Sequence, residues 1–227
     1  MDNSIKSNRV VKISVICLIV AMVFVTIFAI IFFNGKKTKS MAANVEDLYN
    51  EINSDIEEMA TVSPEVAMSS NPFKYIENSE GYDKLVNLGV EALPALDEFV
   101  NEADGGLSSY ILAIAMEDIA NCSVYEATGI DWSTSTEFAS AWVNFKNNAT
   151  EKVEDIIRSD ESTKNKLEQI KAYGVFAVPA IDKVEDSMTK RSFSSVDNDT
   201  MKKLSKYRDS FNLSTDEIDT ISEYIGE

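Results

Sequence analysis

Histidine is absent from this chain of 227 residues, and cysteine occurs only twice. Without an imidazole, the sequence excludes Ser/His/Asp and Cys/His catalysis and every zinc site that uses histidine. Cys17 lies in a long apolar run and Cys122 in the polar remainder, so no disulfide can form within the remainder. One cysteine there also excludes a zinc site made of cysteines alone. We therefore expect no enzyme, no cofactor and no metal site.

Glycine and proline are scarce, at eight and four residues, and no proline follows Pro179. No glycine-rich phosphate-binding loop occurs, and the pair Gly105-Gly106 is typical of an ordinary turn. No segment alternates apolar and polar residues over the length of a strand, whereas apolar residues recur at helical intervals throughout. The pattern predicts an all-α fold of about eight to ten helices.

One long stretch, residues 13–33, has no charge, glycine or proline. As a helix it would extend roughly 31 Å, enough to cross a bilayer core. Basic residues flank it on both sides. We interpret it as an uncleaved signal anchor, and a cleaved signal peptide is the alternative. The apolar region of a signal peptide usually runs about 7–15 residues, so this run is long for one.

The predicted organisation follows from that anchor. Residues 1–12 form a short basic cytoplasmic tail, 13–33 the transmembrane helix, 34–44 a linker, and 45–227 an acidic helical domain. A short N-terminal tail before a single span usually stays inside, although the flanking basic residues are balanced. We therefore expect a single-pass protein of the cell membrane whose C-terminal domain is extracytoplasmic.

Acidic residues dominate the domain. The whole chain carries a net charge of −17, with 21 basic and 38 acidic residues, but six of the basic residues precede residue 41. Residues 41–131 hold 2 basic and 19 acidic residues. Such a domain is repelled by nucleic acid and by anionic lipid. The acidic surface either serves solubility or docks a cationic partner.

A nine-residue phrase occurs twice, as "GVEALPALD" in 89–97 and "GVFAVPAID" in 174–182. Each glycine fits the position after a helix, where a left-handed backbone favours glycine. Pro94 and Pro179 then fall in the first turn of a second helix, where a missing N–H costs little. Gly89, Pro94, Gly174 and Pro179 thus mark two helical hairpins. One hairpin cannot cover its own apolar face, so such units stack.

These phrases, extended to "LGVEALPALDEFV" and "YGVFAVPAIDKVE", resemble the turn and second helix of HEAT-like repeats. The stretch beginning "SSNPFKYIENSEGYDKL" and the later "TGIDWSTSTEFASAWVNF" are similar to parts of uncharacterised membrane-anchored HEAT-like proteins of Gram-positive bacteria. The resemblance covers roughly residues 69–186. It implies a stacked helical-hairpin domain that acts as a binding scaffold, which is an analogy about function.

The resemblance also implies where a partner would bind, because second helices commonly line the concave face of such stacks. In the first copy that helix carries five carboxylates, which we take as the candidate binding face: Glu91, Asp97, Glu98, Glu102 and Asp104. A solvated outer face is the competing interpretation. The basic patch of Lys190, Arg191, Lys202, Lys203, Lys206 and Arg208 raises self-association as a further alternative.

The function predicted from the sequence is therefore a membrane-anchored extracytoplasmic scaffold that binds a protein or peptide partner, with a basic partner favoured by charge. A regulatory or sensory accessory subunit of a neighbouring membrane protein is the runner-up. An envelope hydrolase is disfavoured by the missing catalytic residues.

Overall fold

The computed structural model describes residues 39–69, 71–77, 79–102, 105–190 and 196–226, without the side chains of residues 64, 189 and 190. The expected tail, the expected transmembrane segment and residues 34–38 of the expected linker lie outside these ranges, as do Asp104 and Arg191. Within them, no helix is long and apolar enough to cross a membrane.

The described residues are helical and contain no strand, so the all-α prediction is confirmed. Twelve helices are present in these ranges: α1 (39–62), α2 (Pro64–Ala67), α3 (Phe73–Ile76), α4 (Glu80–Val86), α5 (Leu93–Glu102), α6 (Leu107–Ala120), α7 (Val124–Thr128), α8 (Ser135–Arg158), α9 (Thr163–Lys171), α10 (Ala177–Lys190), α11 (Asn198–Asp209) and α12 (Thr215–Ile225). The sequence predicts about eight to ten helices, and the short helices α2, α3 and α7 account for the larger number in the structure. Residues 39–44 of the expected linker are also helical.

Helix starts follow local chemistry. Thr134 and Glu137 form a capping box at α8, and Ser214 and Glu217 form another at α12. In each box the hydroxyl accepts from a backbone N–H and the glutamate accepts from the cap backbone, so two donors without helical partners are satisfied. Ser79 caps α4 in the same manner with its hydroxyl alone.

Helix α8 forms the centre of the core. Its aromatic residues Phe138, Trp142 and Phe145 are at most 1% exposed and so belong to the core. They continue into Phe176 and Tyr173, whose ring centroids lie 5.4 and 5.6 Å from that of Phe145. Burial of each large apolar side chain contributes about 1.5–3 kcal/mol. Helix α6, apolar on nearly all sides, is also buried.

The two copies of the repeated phrase have the same local form. In each, a helix ends shortly before the glycine, a 3₁₀ turn follows (Val90–Ala92 or Gly174–Phe176), and a second helix continues directly. Pro94 and Pro179 lie in the first turns of α5 and α10. The last helix, α12, packs against both 3₁₀ turns as well as α8 and α10. The two hairpins are therefore bridged by the C-terminal helix.

The two repeated glycines have different surroundings. Both have a positive φ, 69° at Gly89 and 53° at Gly174, but the ψ of −165° at Gly89 places it outside the predicted left-handed helical region. A Cβ on Gly89 would meet nothing within 4 Å, whereas one on Gly174 would lie 2.1 Å from the backbone oxygen of Ala120 and 2.3 Å from that of Asn121. Gly174 thus lets the end of α6 pack against the second hairpin.

We expect Gly174→Ala to destabilise the protein far more than Gly89→Ala. The Gly89 change incurs backbone strain alone, about 1–3 kcal/mol, while the Gly174 change adds a clash with backbone that has no free direction to move and costs more than about 4 kcal/mol in total. Urea unfolding of the full chain in detergent, followed by tryptophan fluorescence, measures both. Equal losses for the two variants would contradict the close approach at Gly174.

Candidate partner-binding surface

Asp97, the last residue of the first repeated phrase, is the centre of a buried polar network. Lys146 Nζ lies 2.5 Å from its Oδ2, and the Tyr224 hydroxyl donates to the same oxygen at 2.9 Å. Asn101 donates to Oδ1 at 2.9 Å. The Trp142 indole N–H donates to the Tyr224 oxygen at 2.7 Å. Both carboxylate oxygens of Asp97 therefore have partners.

This network connects α5, α8 and α12. Lys146 also lies 4.2 Å from the centroid of the Tyr224 ring, which adds a cation–π contact to the ion pair. Burial raises the pKa of the Tyr224 hydroxyl, and the neighbouring Asp97 charge raises it further, so this hydroxyl stays protonated as a donor. Because Asp97 is only 7% exposed, its role is to hold helices together, and its carboxylate is not presented to a partner.

The structure divides the other carboxylates of the sequence-predicted face. Glu98 and Glu102 are exposed one turn apart on α5, and Glu91 is half-buried in the 3₁₀ turn before it. Asp104 lies outside the described residues. The five residues therefore do not form one continuous row on the surface: one holds the core together and two face solvent.

Several members of the basic patch are paired inside the domain. Arg208 Nη1 lies 2.6 Å from carboxylate oxygens of Asp182 and Glu185, and Lys203 lies 2.7 Å from Asp199. Lys202 and Lys206 are exposed. The patch thus offers a second copy of the chain fewer available cations than its sequence indicates.

A second acidic region was not predicted. It is a cleft of about 390 Å³ between α1 and the start of α4, which we call the α1–α4 groove. Four carboxylates and two apolar side chains line it: Glu51, Asp55, Glu58, Glu80, Met59 and Val62. The acidic residues from α1, Glu51, Asp55 and Glu58, are spaced by four and three positions and so share one helical face.

The tight packing of α4 on α1 shapes this groove. A Cβ on Gly81 would lie 3.0 Å from the backbone nitrogen of Ile52 and 3.2 Å from Cγ of Glu51, so glycine permits the contact. Asp55 fixes the start of α4 from the other helix, because its Oδ2 accepts from the Ser79 hydroxyl at 2.6 Å and from the Gly81 N–H at 3.3 Å. The groove is therefore built by defined tertiary contacts.

The groove has a net negative charge. Lys84 is the cation that pairs with its carboxylates in the described residues, 2.5 Å from Glu51 and 3.8 Å from Glu80. The hydrogen bond to Glu51 raises the pKa of Lys84. Four carboxylates against one ammonium leave an excess of three negative charges at the groove. An open site of this kind attracts cationic groups and speeds their encounter at low salt.

Another polar region surrounds Cys122 at the end of α6. Glu117 accepts from the Val124 N–H at 2.7 Å, and Asp118 accepts from the Tyr82 hydroxyl at 2.5 Å. Burial raises the pKa of Glu117 and of the Cys122 thiol, and nearby carboxylates raise both further. A thiol held protonated is a poor nucleophile, so Cys122 does not resemble an activated catalytic cysteine.

Within the described ranges, no group of three or more cysteine or acidic side chains is placed to hold a metal ion. Comparison of the chain with protein-family models, with curated proteins and with solved structures gives no match.

Asp97→Ala is expected to lower the free energy of unfolding by about 3–5 kcal/mol, because it leaves the ammonium of Lys146, whose side chain is only 16% exposed, without its carboxylate. Asp182→Ala, at the equivalent position of the second phrase, is the matched control. Its side chain is 37% exposed and Arg208 keeps Glu185 and Asp209, so a loss of about 0–1 kcal/mol is expected. Urea unfolding monitored by tryptophan fluorescence tests the pair, and similar losses would refute a central role for Asp97.

Proposed function

We propose that this chain is a single-pass membrane protein whose HEAT-like domain lies outside the cytoplasm and binds a protein or peptide partner. Its mechanism is scaffolding: the helices hold an acidic surface in a fixed shape, and the partner contributes cationic groups. The observation that carries the proposal is the α1–α4 groove, where four carboxylates converge beside apolar side chains and a single paired lysine.

The HEAT-like part of the proposal is supported by the two hairpins. Both copies have the order helix, glycine, 3₁₀ turn and proline-bearing helix. In both, the final aspartate of the phrase contacts a cation from a later helix, Lys146 from α8 or Arg208 from α11. Equivalent contacts at equivalent positions are expected of repeated units that stack on their successors.

The membrane part is supported by the sequence of residues 13–33 and by the negative charge of the helical domain. An uncharged run of this length spans a bilayer as a helix. The acidic domain would be repelled by an anionic membrane surface, which favours a position away from the lipid. The absence of a second cysteine after Cys122 suits an exported domain that does not depend on disulfides.

Photo-crosslinking in the native cells tests the binding function. A benzophenone side chain placed at Ser54, which is exposed beside Asp55 on α1, is expected to form a discrete adduct with one protein. Glu58→Lys combined with Glu80→Lys should reduce that adduct at least tenfold, because the reversed charges repel a cationic partner.

Glu98→Lys combined with Glu102→Lys is the matched control, with the same charge change on the exposed face of α5. It should leave the adduct intact. If the control abolishes the adduct and the groove variant does not, the partner binds the face of α5. If no discrete adduct forms, or neither variant changes it, the scaffold proposal is wrong.

Protease shaving of intact cells tests the outward placement. Peptides from residues 41–227 should appear by mass spectrometry without lysis, because the domain lies beyond the anchor. Peptides of an abundant cytoplasmic protein provide the control for leakage. Release of the domain peptides only after lysis would place the domain in the cytoplasm and contradict the proposed topology.

A further inference from the structure

The most exposed large apolar side chains lie in the stretch of chain that begins at the end of α1. In the described residues, Met68 is 87% exposed, Val62 76% and Phe73 58%, the three highest values among the large apolar side chains. All three lie within residues 62–69 and 71–73, which we call the apolar tip. Val62 also lines the groove, so the apolar tip begins where the acidic groove ends.

Hydrogen bonds hold the described part of the apolar tip in a defined conformation. The Tyr75 hydroxyl donates to the backbone oxygens of Val66 and Ser69 at 2.7 and 3.3 Å. The Phe73 N–H donates to the Asn71 side chain at 3.1 Å. Met68 and Phe73 are therefore presented on a backbone that is fixed at both sides. Exposed apolar residues grouped in this way mark an interaction surface more often than scattered ones do.

Charge opposes two candidates for the surface's occupant. An anionic lipid surface would face the carboxylates of the groove and be repelled. A second copy of the chain is itself acidic, since residues 41–227 hold 15 basic and 37 acidic residues. Of its cations, Lys203 and Arg208 are paired internally, and the exposed Lys202 and Lys206 lie within this net negative charge. Charge complementarity therefore favours a cationic segment of a different protein.

We propose that the groove and the apolar tip together bind a cationic amphipathic segment of another protein. This inference rests on the proposed scaffold function and adds the chemistry of the partner. Lysine or arginine side chains on one face of the segment contact Glu51, Glu58 and Glu80. Apolar side chains on its other face pack against the apolar tip and Met59.

The two parts of the surface contribute differently. Exposed ion pairs are each worth little and are screened by salt, so the groove alone attracts a segment without holding it. Apolar burial is insensitive to moderate salt and supplies the retention. A partner therefore needs both faces, and a purely cationic segment dissociates as salt rises.

Fluorescence anisotropy with two synthetic helices tests this inference. One 14-residue helix carries lysines on one face and leucines on the other, and the second has glutamine in place of every leucine, with the same charge. The full chain is held in zwitterionic nanodiscs, and empty nanodiscs provide the background. At physiological salt the Lys/Leu helix should bind at least tenfold more tightly than the Lys/Gln helix.

Substitutions on the chain separate the inference from the function on which it rests. Val62→Ser, Met68→Ser and Phe73→Ser combined should weaken the Lys/Leu helix at least tenfold and leave the weak, salt-sensitive binding of the Lys/Gln helix unchanged. Tyr125→Ser with Val143→Ser removes exposed apolar side chains elsewhere and should have no effect. Circular dichroism confirms that each variant is folded.

Each remaining outcome is informative. Equal binding of the two helices, or no effect at the apolar tip, overturns the amphipathic partner and leaves a groove that binds cations. Failure of both helices to bind at low salt, in a protein whose crosslink at Ser54 persists, overturns the cationic partner alone. Loss of that crosslink as well contradicts the scaffold function. Pelleting with anionic vesicles, or concentration-dependent dimers, would assign the surface to lipid or to self-association instead.

Discussion

The buried carboxylate of Asp97 fixes how α5, α8 and α12 lie against one another. Moving a carboxylate from water into a protein interior costs several kcal/mol unless cations and donors replace the lost water. Lys146 and Tyr224 supply that replacement from positions 49 and 127 residues later in the chain. A shift of α12 by one turn would move the Tyr224 hydroxyl about 5.4 Å away and leave the carboxylate oxygen with one donor fewer. The need to satisfy one charge thus selects one position for the C-terminal helix.

Identical residues have different structural roles in the two copies of the repeated phrase. Asp97 is buried and makes a network, whereas Asp182, at the same point of the second copy, is half-exposed and pairs with a guanidinium that has other carboxylates. Gly174 permits a backbone contact that Gly89 does not need. The difference between the glycines follows from the surroundings of the two turns, because the second turn lies against α6 and α8 while the first turn is more exposed. The repeated sequence therefore specifies the hairpin, and the helices that pack on each copy determine how much each repeated residue contributes to stability.

Much of the helical architecture is predictable from local sequence, since capping boxes, prolines and apolar spacing each act within a few residues. The core role of Phe138 and Trp142 follows from the same spacing. The burial of Asp97 does not follow from spacing. Spacing identifies the face of a helix on which a residue lies, but not the distant helix that covers that face. The α1–α4 groove depends in the same way on a contact between Gly81 and α1, which no pattern within either helix reveals. The three- and four-residue spacing of the acidic residues on α1 was the available signal, and it became meaningful only with α4 beside it.

The distribution of charge also explains why the groove, and not the basic patch, is the surface that we propose for a partner. In the second half of the domain, lysines and arginines are numerous enough to pair with carboxylates, as Arg208 does with Asp182 and Glu185. In residues 41–131 two cations face 19 acidic residues, so most carboxylates there must remain solvated or wait for an external cation. Solvated carboxylates keep the surface soluble, which allows the apolar tip beside them to stay exposed. The carboxylates that keep the free protein soluble despite its exposed apolar tip would then also select the partner that covers the tip.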